Sequence, residues 1–239
     1  MKKTVVIIPT YNEIENISLI IDSIFNINLT LDILVVDDNS PDGTSDVVKN
    51  LMDKHKKKLF LAQRDKKEGL GVAYVHGFNW ALDRKYDYIF QMDADLSHNP
   101  NELKKMINRL DVDADVIIGS RYKNGVNVVN WPLSRILLSY IASIYVRSIT
   151  SMPIKDPTSG FVGYKKEVLE VININRIKFV GYAFQIEMKF KAWINGFNLI
   201  EESIVFLNRA HGNSKMDSSI ILEAFFGVLY LKANKKKNK

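Results

Sequence analysis

The chain has 239 residues, a formal net charge of +6, 46% hydrophobic and 25% charged residues, and no cysteine. That composition is ordinary for a globular protein able to bury a substantial core. The lack of cysteine excludes disulfides, thiol catalysis and cysteine-based zinc sites, and makes a reducing, cytoplasmic address the expectation. No basic-then-apolar leader opens the chain, and no apolar stretch reaches the roughly 18 residues that span a bilayer. No nucleic-acid recognition motif accompanies the basic charge, so nucleic acid is not an expected partner.

In chain order, Lys3 to Ile8 is an apolar run suited to a buried strand, and the turn Pro9-Thr10-Tyr11-Asn12-Glu13 follows it. Ile14, Ile17, Ile20, Ile21, Ile24 and Phe25 then recur at helical spacing. Ile33 to Val36 reads as a second strand, ending in the acidic turn Asp37-Asp38-Asn39-Ser40-Pro41-Asp42-Gly43-Thr44; Val47, Val48, Leu51 and Met52 mark the next helix. Lys58 to Gln63 is a third strand, Leu70 to Leu82 a helix opened by a Gly-rich turn, and Tyr86 to Met92 a fourth strand. A helix striped by Leu103, Met106, Ile107 and Leu110 leads to a strand from Asp115 to Gly119. Strands separated by helices of this length predict an α/β protein with a mainly parallel sheet covered on both faces.

The fourth strand delivers Asp93 and Asp95 together at its carboxyl end, the edge where open α/β sheets bind ligands. Two neighbouring carboxylates repel unless a cation lies between them, and a hard divalent ion such as Mg²⁺ or Mn²⁺, shared with phosphate oxygens, is the usual solution. The turns after the first three strands, the last running from Arg64 to Gly71, fall on the same edge. Together they would offer a nucleotide an aromatic ring, acids, cations and a metal site.

Two later segments read as apolar helical faces. One holds Leu133, Ile136, Leu137, Tyr140, Ile141, Ile144 and Tyr145, interrupted by Arg135 and Arg147; the other runs from Ile220 to Leu231. Each is too short to cross a membrane, and each suits either packing on the sheet or an interfacial position. The tail 232–239, with its cluster of lysines, reads either as a solvated terminus or as a patch drawn to anionic lipid. Gly181-Tyr182-Ala183-Phe184-Gln185-Ile186-Glu187 reads as a turn that lines a channel or forms a packing corner, and His211 as a phosphate contact or an exposed residue.

Several motifs together resemble family-2 glycosyltransferases of the GT-A fold, within them the dolichol-phosphate or polyprenol-phosphate mannosyltransferases. They are Pro9-Thr10-Tyr11-Asn12-Glu13, Val36 to Thr44, Gly69-Leu70-Gly71, Met92 to His98, Gly119-Ser120-Arg121-Tyr122, Asn130-Trp131-Pro132 with Arg135, Asp156-Pro157-Thr158-Ser159-Gly160-Phe161, the 181–187 run, and Arg209 to Lys215. The resemblance implies one GT-A domain over 1–231, with a nucleotide half to about residue 122, an acceptor half from 123, and the basic tail 232–239.

It also implies that Pro9, Tyr11, Glu13, Val36, Asp37 and Asp38 cradle the guanosine of GDP-mannose. Met92, Asp93, Ala94, Asp95, Arg121, Arg209 and Lys215 would complete the donor site. Asp93, Asp95 and Ser97 would hold Mg²⁺ or Mn²⁺, and Arg121, Arg135, Arg209 and Lys215 the acceptor phosphate. Some members carry Gln where this chain has Ser97, a weaker ligand; Asp65 and Ser203 replace frequent prolines. The implied reaction is inverting transfer of mannose to dolichyl or polyprenyl phosphate by a protein peripheral on the cytoplasmic membrane face. A same-fold enzyme using UDP-glucose or a saccharide acceptor, and a non-catalytic nucleotide- or lipid-binding protein, are the alternatives.

Overall fold

A computed structural model of the chain describes residues 2–209 and 218–235. The first half of the chain builds β1 (Thr4–Thr10), α1 (Ile14–Asn26), β2 (Asp32–Asp37), α2 (Thr44–Lys54), β3 (Leu59–Gln63), α3 (Leu70–Asp83), β4 (Tyr88–Gln91), α4 (Glu102–Val112) and β5 (Val116–Ser120). Each expected strand and helix of this half is present. The remainder holds β6 (Val128–Val129), α5 (Leu133–Thr150), β7 (Val162–Lys165), α6 (Lys166–Val171), α7 (Tyr182–Ile194), β8 (Leu199–Ser203), β9 (Phe206–Leu207) and α8 (Ser218–Ala233).

The main sheet has the order β3-β2-β1-β4-β7-β5-β8. It is parallel except for β7, which runs antiparallel between β4 and β5. Because β5 therefore points the same way as β4, the carboxyl ends of β1 to β5 all open on one edge. The apolar runs of the central strands divide their side chains between two layers, as the two-residue period of a strand requires. Val5 and Ile7 of β1 face a core built with α3 and α7, while Val6 and Ile8 face one built with α1 and α4. A small parallel pair, β6 with β9, stands apart from the main sheet.

The 181–187 run is not a turn. Gly181 precedes α7, whose residues from Ala183 to Ala192 are all buried. Glu187 faces inward, accepting the backbone N–H groups of Lys178 and Phe179 at 2.9 and 3.0 Å and pairing with Lys191 at 3.1 Å. The packing-corner alternative therefore describes Glu187 better than the channel.

The Gly69-Leu70-Gly71 turn is where the two halves meet. The Gly71 N–H donates to the Val180 carbonyl at 2.8 Å. A β-carbon on Gly71 would lie 2.8 Å from the Phe179 carbonyl oxygen and 2.9 Å from the Phe184 ring. α8 reinforces this joint, because Glu223 accepts the N–H groups of Val180 and Gly181 at 3.2 and 3.4 Å. Gly71→Ala is expected to cost about 1–3 kcal/mol through overpacking, read as a lower urea midpoint at unchanged slope.

Candidate active site

The loop after β4 is held from both sides. The Asp93 N–H donates to His98 Nδ1 at 3.3 Å, and the Ser97 N–H to Asp95 Oδ1 at 3.1 Å. Between them Leu96 sits at φ +63°, a left-handed backbone that a bulky side chain rarely adopts. His98 is packed against Phe161 and Phe206. Burial lowers its pKa to about 4, which keeps the ring neutral and Nδ1 able to accept. Burial raises the Asp93 carboxyl to about 7, and the charge of Asp95 adds to the effect.

Three guanidinium groups converge on this pair. Arg209 donates through Nη2 to Asp95 Oδ2 at 2.9 Å. β9 carries it there, since the Leu207 N–H is tied to the Ser97 carbonyl at 3.2 Å. Arg135, near the start of α5, stacks 3.9 Å over the Trp131 ring and donates to Asn208 Oδ1 at 3.1 Å. Arg121 is more committed than the sequence implied. Its Nε and Nη2 grip the buried Asp156 carboxylate at 2.7 and 2.6 Å, and Nη2 also reaches Thr158 at 2.8 Å. Burial works against the charge of Arg121, but Asp156 outweighs it and pushes the pKa up. Arg121 is thus first the anchor of the 156–160 turn, with Nη1 the part of its fork outside these contacts. Lys215 and His211 lie outside the described residues.

At the end of β2 Asp37 and Asp38 have separate tasks. Asp37 is fully buried and accepts four hydrogen bonds, from the hydroxyls of Thr10, Ser40 and Ser45 and the Ser40 N–H, at 2.6 to 2.9 Å. Four donors fill a carboxylate, so Asp37 ties β1, β2 and the following turn together instead of offering itself to a ligand. Asp38 pairs with Arg64 at 2.8 Å. Its carboxyl is raised by burial and held back by Arg64. Beside it, Asn39, Gln63, Arg64 and Asp65 line an open depression. Lys67 lies 4.4 Å over the Tyr11 ring.

Glu13 is buried and accepts from Asn16 at 2.9 Å, while its N–H donates to Thr44 at 3.0 Å. Val36, Met92 and Ala94 send their side chains into the two cores, so only their backbones face this edge. Pro9 is in β1, and Ser97 is buried with its backbone engaged on both sides. The residues given no role from sequence are Asp156, His98, Trp131 and Lys189. Asp156 and His98 sit inside motifs whose turn character was visible; nothing in the spacing of Lys189 marks it. Burial lowers Lys189 to about 7, against the opposing pull of Asp156.

A mainly parallel sheet with an acidic pair at its carboxyl edge and a basic cluster facing that pair is the arrangement expected of a GT-A glycosyltransferase fold. The Glycosyl transferase family 2 model matches residues 5–172, and the chain belongs to that family. It is a glycosyltransferase. The chain is 44% identical over 227 residues to a polyprenol monophosphomannose synthase of Mycolicibacterium smegmatis, covering 95% of this chain and 86% of that one. It is 38% identical to an undecaprenyl-phosphate mannosyltransferase of Micrococcus luteus, covering 95% and 92%. Among solved structures, glucosyl-3-phosphoglycerate synthase from Mycobacterium tuberculosis with Mn²⁺, UDP and glucosyl-3-phosphoglycerate superposes with a TM-score of 0.71 at 15% identity, over 97% of this chain and 80% of that one. A mannosyltransferase from Pyrobaculum calidifontis with GDP-Man and Mn²⁺ superposes at 0.62 and 18% identity, over 89% and 58%.

The donors at the acidic pair fit a hard divalent cation, being carboxylate oxygens in a setting that disfavours their charge. Among the described residues no three acidic or histidine side chains close a cage, so ligand and water oxygens would fill the remaining positions. The raised Asp93 pKa has a stability consequence. Between about pH 4, where a free Asp ionises, and about pH 7, where Asp93 ionises in the fold, the native state binds more protons than the unfolded chain. The Asp93 contribution to metal-free stability should therefore fall as pH rises through that window, while His98, whose buried ring takes its proton only near pH 4, contributes the opposite trend. Asp93→Asn removes the Asp93 contribution and leaves that of His98. At pH 8 without divalent cation the variant is expected to melt higher than the wild type, with the difference shrinking toward pH 4. Added Mn²⁺ should raise the wild-type Tm only.

Proposed function

We propose that the protein transfers mannose from GDP-mannose to a polyprenyl or dolichyl phosphate, with inversion, while bound peripherally to the cytoplasmic face of a membrane. The observation that carries this reading is the convergence of Arg135, Arg209 and the outer end of Arg121 on the Asp93–Asp95 pair. The two mannosyltransferase relatives support the lipid phosphate and the sugar. The solved mannosyltransferase with GDP-Man and Mn²⁺ supports the donor and a divalent cation.

The depression beside Asp38 and Arg64 would take the base, with Tyr11 and Glu13 at its border and the diphosphate running toward Asp93. Asp93 and Asp95, with Ser97 beside them, would hold Mg²⁺ or Mn²⁺, which when bound supplies positive charge to the departing diphosphate. The acceptor phosphate is already an anion, so its oxygen can attack the anomeric carbon without a base removing a proton. Arg135 and Arg209 would neutralise and orient it, guanidinium forks being matched to phosphate oxygens. Lys215 is proposed as a further contact. A single in-line displacement turns an α-linked donor sugar into a β-linked product.

Incubating the protein with Mg²⁺ or Mn²⁺, GDP-mannose, UDP-glucose and a polyprenyl phosphate should yield one lipid-linked hexose by mass spectrometry, formed from GDP-mannose and β-configured by NMR. Asp95→Ala should lower turnover by roughly a hundredfold or more, as losing one electrostatic contact to developing charge does. An α product, or an Asp95→Ala protein of near-normal activity, contradicts the mechanism.

Access to a lipid acceptor follows from α5 and α8. No helix among the described residues is long and apolar enough to cross a membrane. α5 buries only Ser143, Val146 and Thr150, and leaves Leu133, Leu137 and Ile141 70%, 51% and 60% exposed. α8 packs beside it through Tyr145 stacked on Phe225, and leaves Leu222 and Phe226 58% and 63% exposed. This joint face favours interfacial docking over packing on the sheet. An Ile141→Asp, Phe226→Asp double variant should lose liposome co-sedimentation yet keep activity on a short, water-soluble polyprenyl phosphate.

A further inference from the structure

Gln185 is on the inner side of α7 and only 3% exposed. Its Oε1 lies 3.5 Å from the ammonium of Lys189, which is itself fully buried. That ammonium also donates to the carbonyls of Ser159 and Gln185 at 2.7 and 3.1 Å. Already donating to two carbonyls, Nζ faces the oxygen end of the amide, and Nε2 turns the other way. Nε2 has no hydrogen-bond partner in the protein. Leaving such a donor buried and unpaired is unfavourable unless a ligand group meets it.

The direction in which Nε2 points is marked by Gly160. A β-carbon built there would have the two Asp93 carboxylate oxygens at 3.7 Å and Gln185 Nε2 at 3.8 Å as its nearest neighbours. The space over Gly160 is therefore bounded by the carboxylate of the acidic pair on one side and an unused amide donor on the other. Glycine keeps it clear of any side chain of its own. The same turn is secured by the Ser159 hydroxyl on the Gly119 carbonyl at 2.6 Å and by Arg121 on Asp156, so its position is fixed before any ligand arrives.

We propose that Gln185 is a sugar-specificity residue, its Nε2 donating to a hydroxyl of the transferred hexose seated over Gly160 beside Asp93, with Lys189 as the positioning residue that aims the amide. This rests on the reading that the donor diphosphate is held at Asp93 and Asp95. Phosphate oxygens are served by the guanidinium groups nearby. A neutral, buried, directional donor suits a neutral hydroxyl, and a site built to bond that hydroxyl rejects a sugar lacking it because the donor is then left unpaired.

Titration calorimetry in Mn²⁺ tests this, using GDP, GDP-mannose, UDP and UDP-glucose against wild type, Gln185→Met and Lys189→Met. The wild-type titrations identify the donor; a preference for UDP-glucose would sink the donor reading and leave the Gln185 comparison to be made on that sugar. Gln185→Met should bind the nucleoside diphosphate as the wild type does. It should lose on the order of tenfold of the affinity that the sugar adds, the size of one buried hydrogen bond. A deoxy donor lacking the contacted hydroxyl should bind wild type and variant alike, and Lys189→Met should show a smaller loss of the same kind. Gln185→Asn, which withdraws the amide by one methylene, gives the same reading should methionine not be accommodated. Equal losses for the diphosphate and its sugar conjugate, no loss for either, or a defect confined to the lipid acceptor would overturn the proposal.

Discussion

Two carboxylates two residues apart in a partly desolvated cleft repel each other, and the surrounding structure works against that repulsion. Arg209 meets Asp95 directly, while His98, kept neutral by burial, fastens the Asp93 backbone without adding charge of its own. The left-handed Leu96 just after Asp95 stores backbone strain of about 1–3 kcal/mol, which the hydrogen bonds on either side hold in place. Such a site is destabilising by itself, and a bound cation would relieve it.

The second constraint is the Arg121–Asp156 pair. It is buried, bidentate and reinforced by the Arg121 N–H to Asp156 Oδ2 at 2.9 Å. Removing one partner would leave the other charged and desolvated, a loss of several kcal/mol. The pair fixes the end of β5 against the 156–160 turn, and so fixes Gly160 over Asp93. A basic residue that looked from sequence like a ligand contact is in the fold chiefly a builder of the site.

The nucleotide half was legible because its signals were long and periodic. Ile17, Ile20, Ile21 and Ile24 announce α1, and the parallel strands are apolar on both faces. The acceptor half was harder to read. β7 is four residues long, and its antiparallel insertion between β4 and β5 depends on Gly163 fitting against Phe90 and Ile117, a contact no local pattern encodes. β8, Leu-Ile-Glu-Glu-Ser, is half-buried throughout and lacks a clean alternation. α7 was obscured by its opening glycine and aromatic residues, and by Lys189 and Lys191, whose burial requires tertiary partners. The acidic pair and the arginines were recognisable as residue types. That Asp37 is saturated and Asp38 is not could be learned only from their neighbours.

Glu223 has a consequence for anyone dissecting this molecule. It belongs to the last described helix, yet its carboxylate closes off two main-chain amides at the entrance to α7, where Gly71 abuts Phe179. Trimming the chain to remove its greasy C-terminal helix would therefore strip those amides of their acceptor and loosen the seam against which α3 begins. The exposed apolar face of α5 and α8 and the seam that frames the acidic cleft share one hinge-pin, so solubility gained by truncation would come at the expense of that cleft.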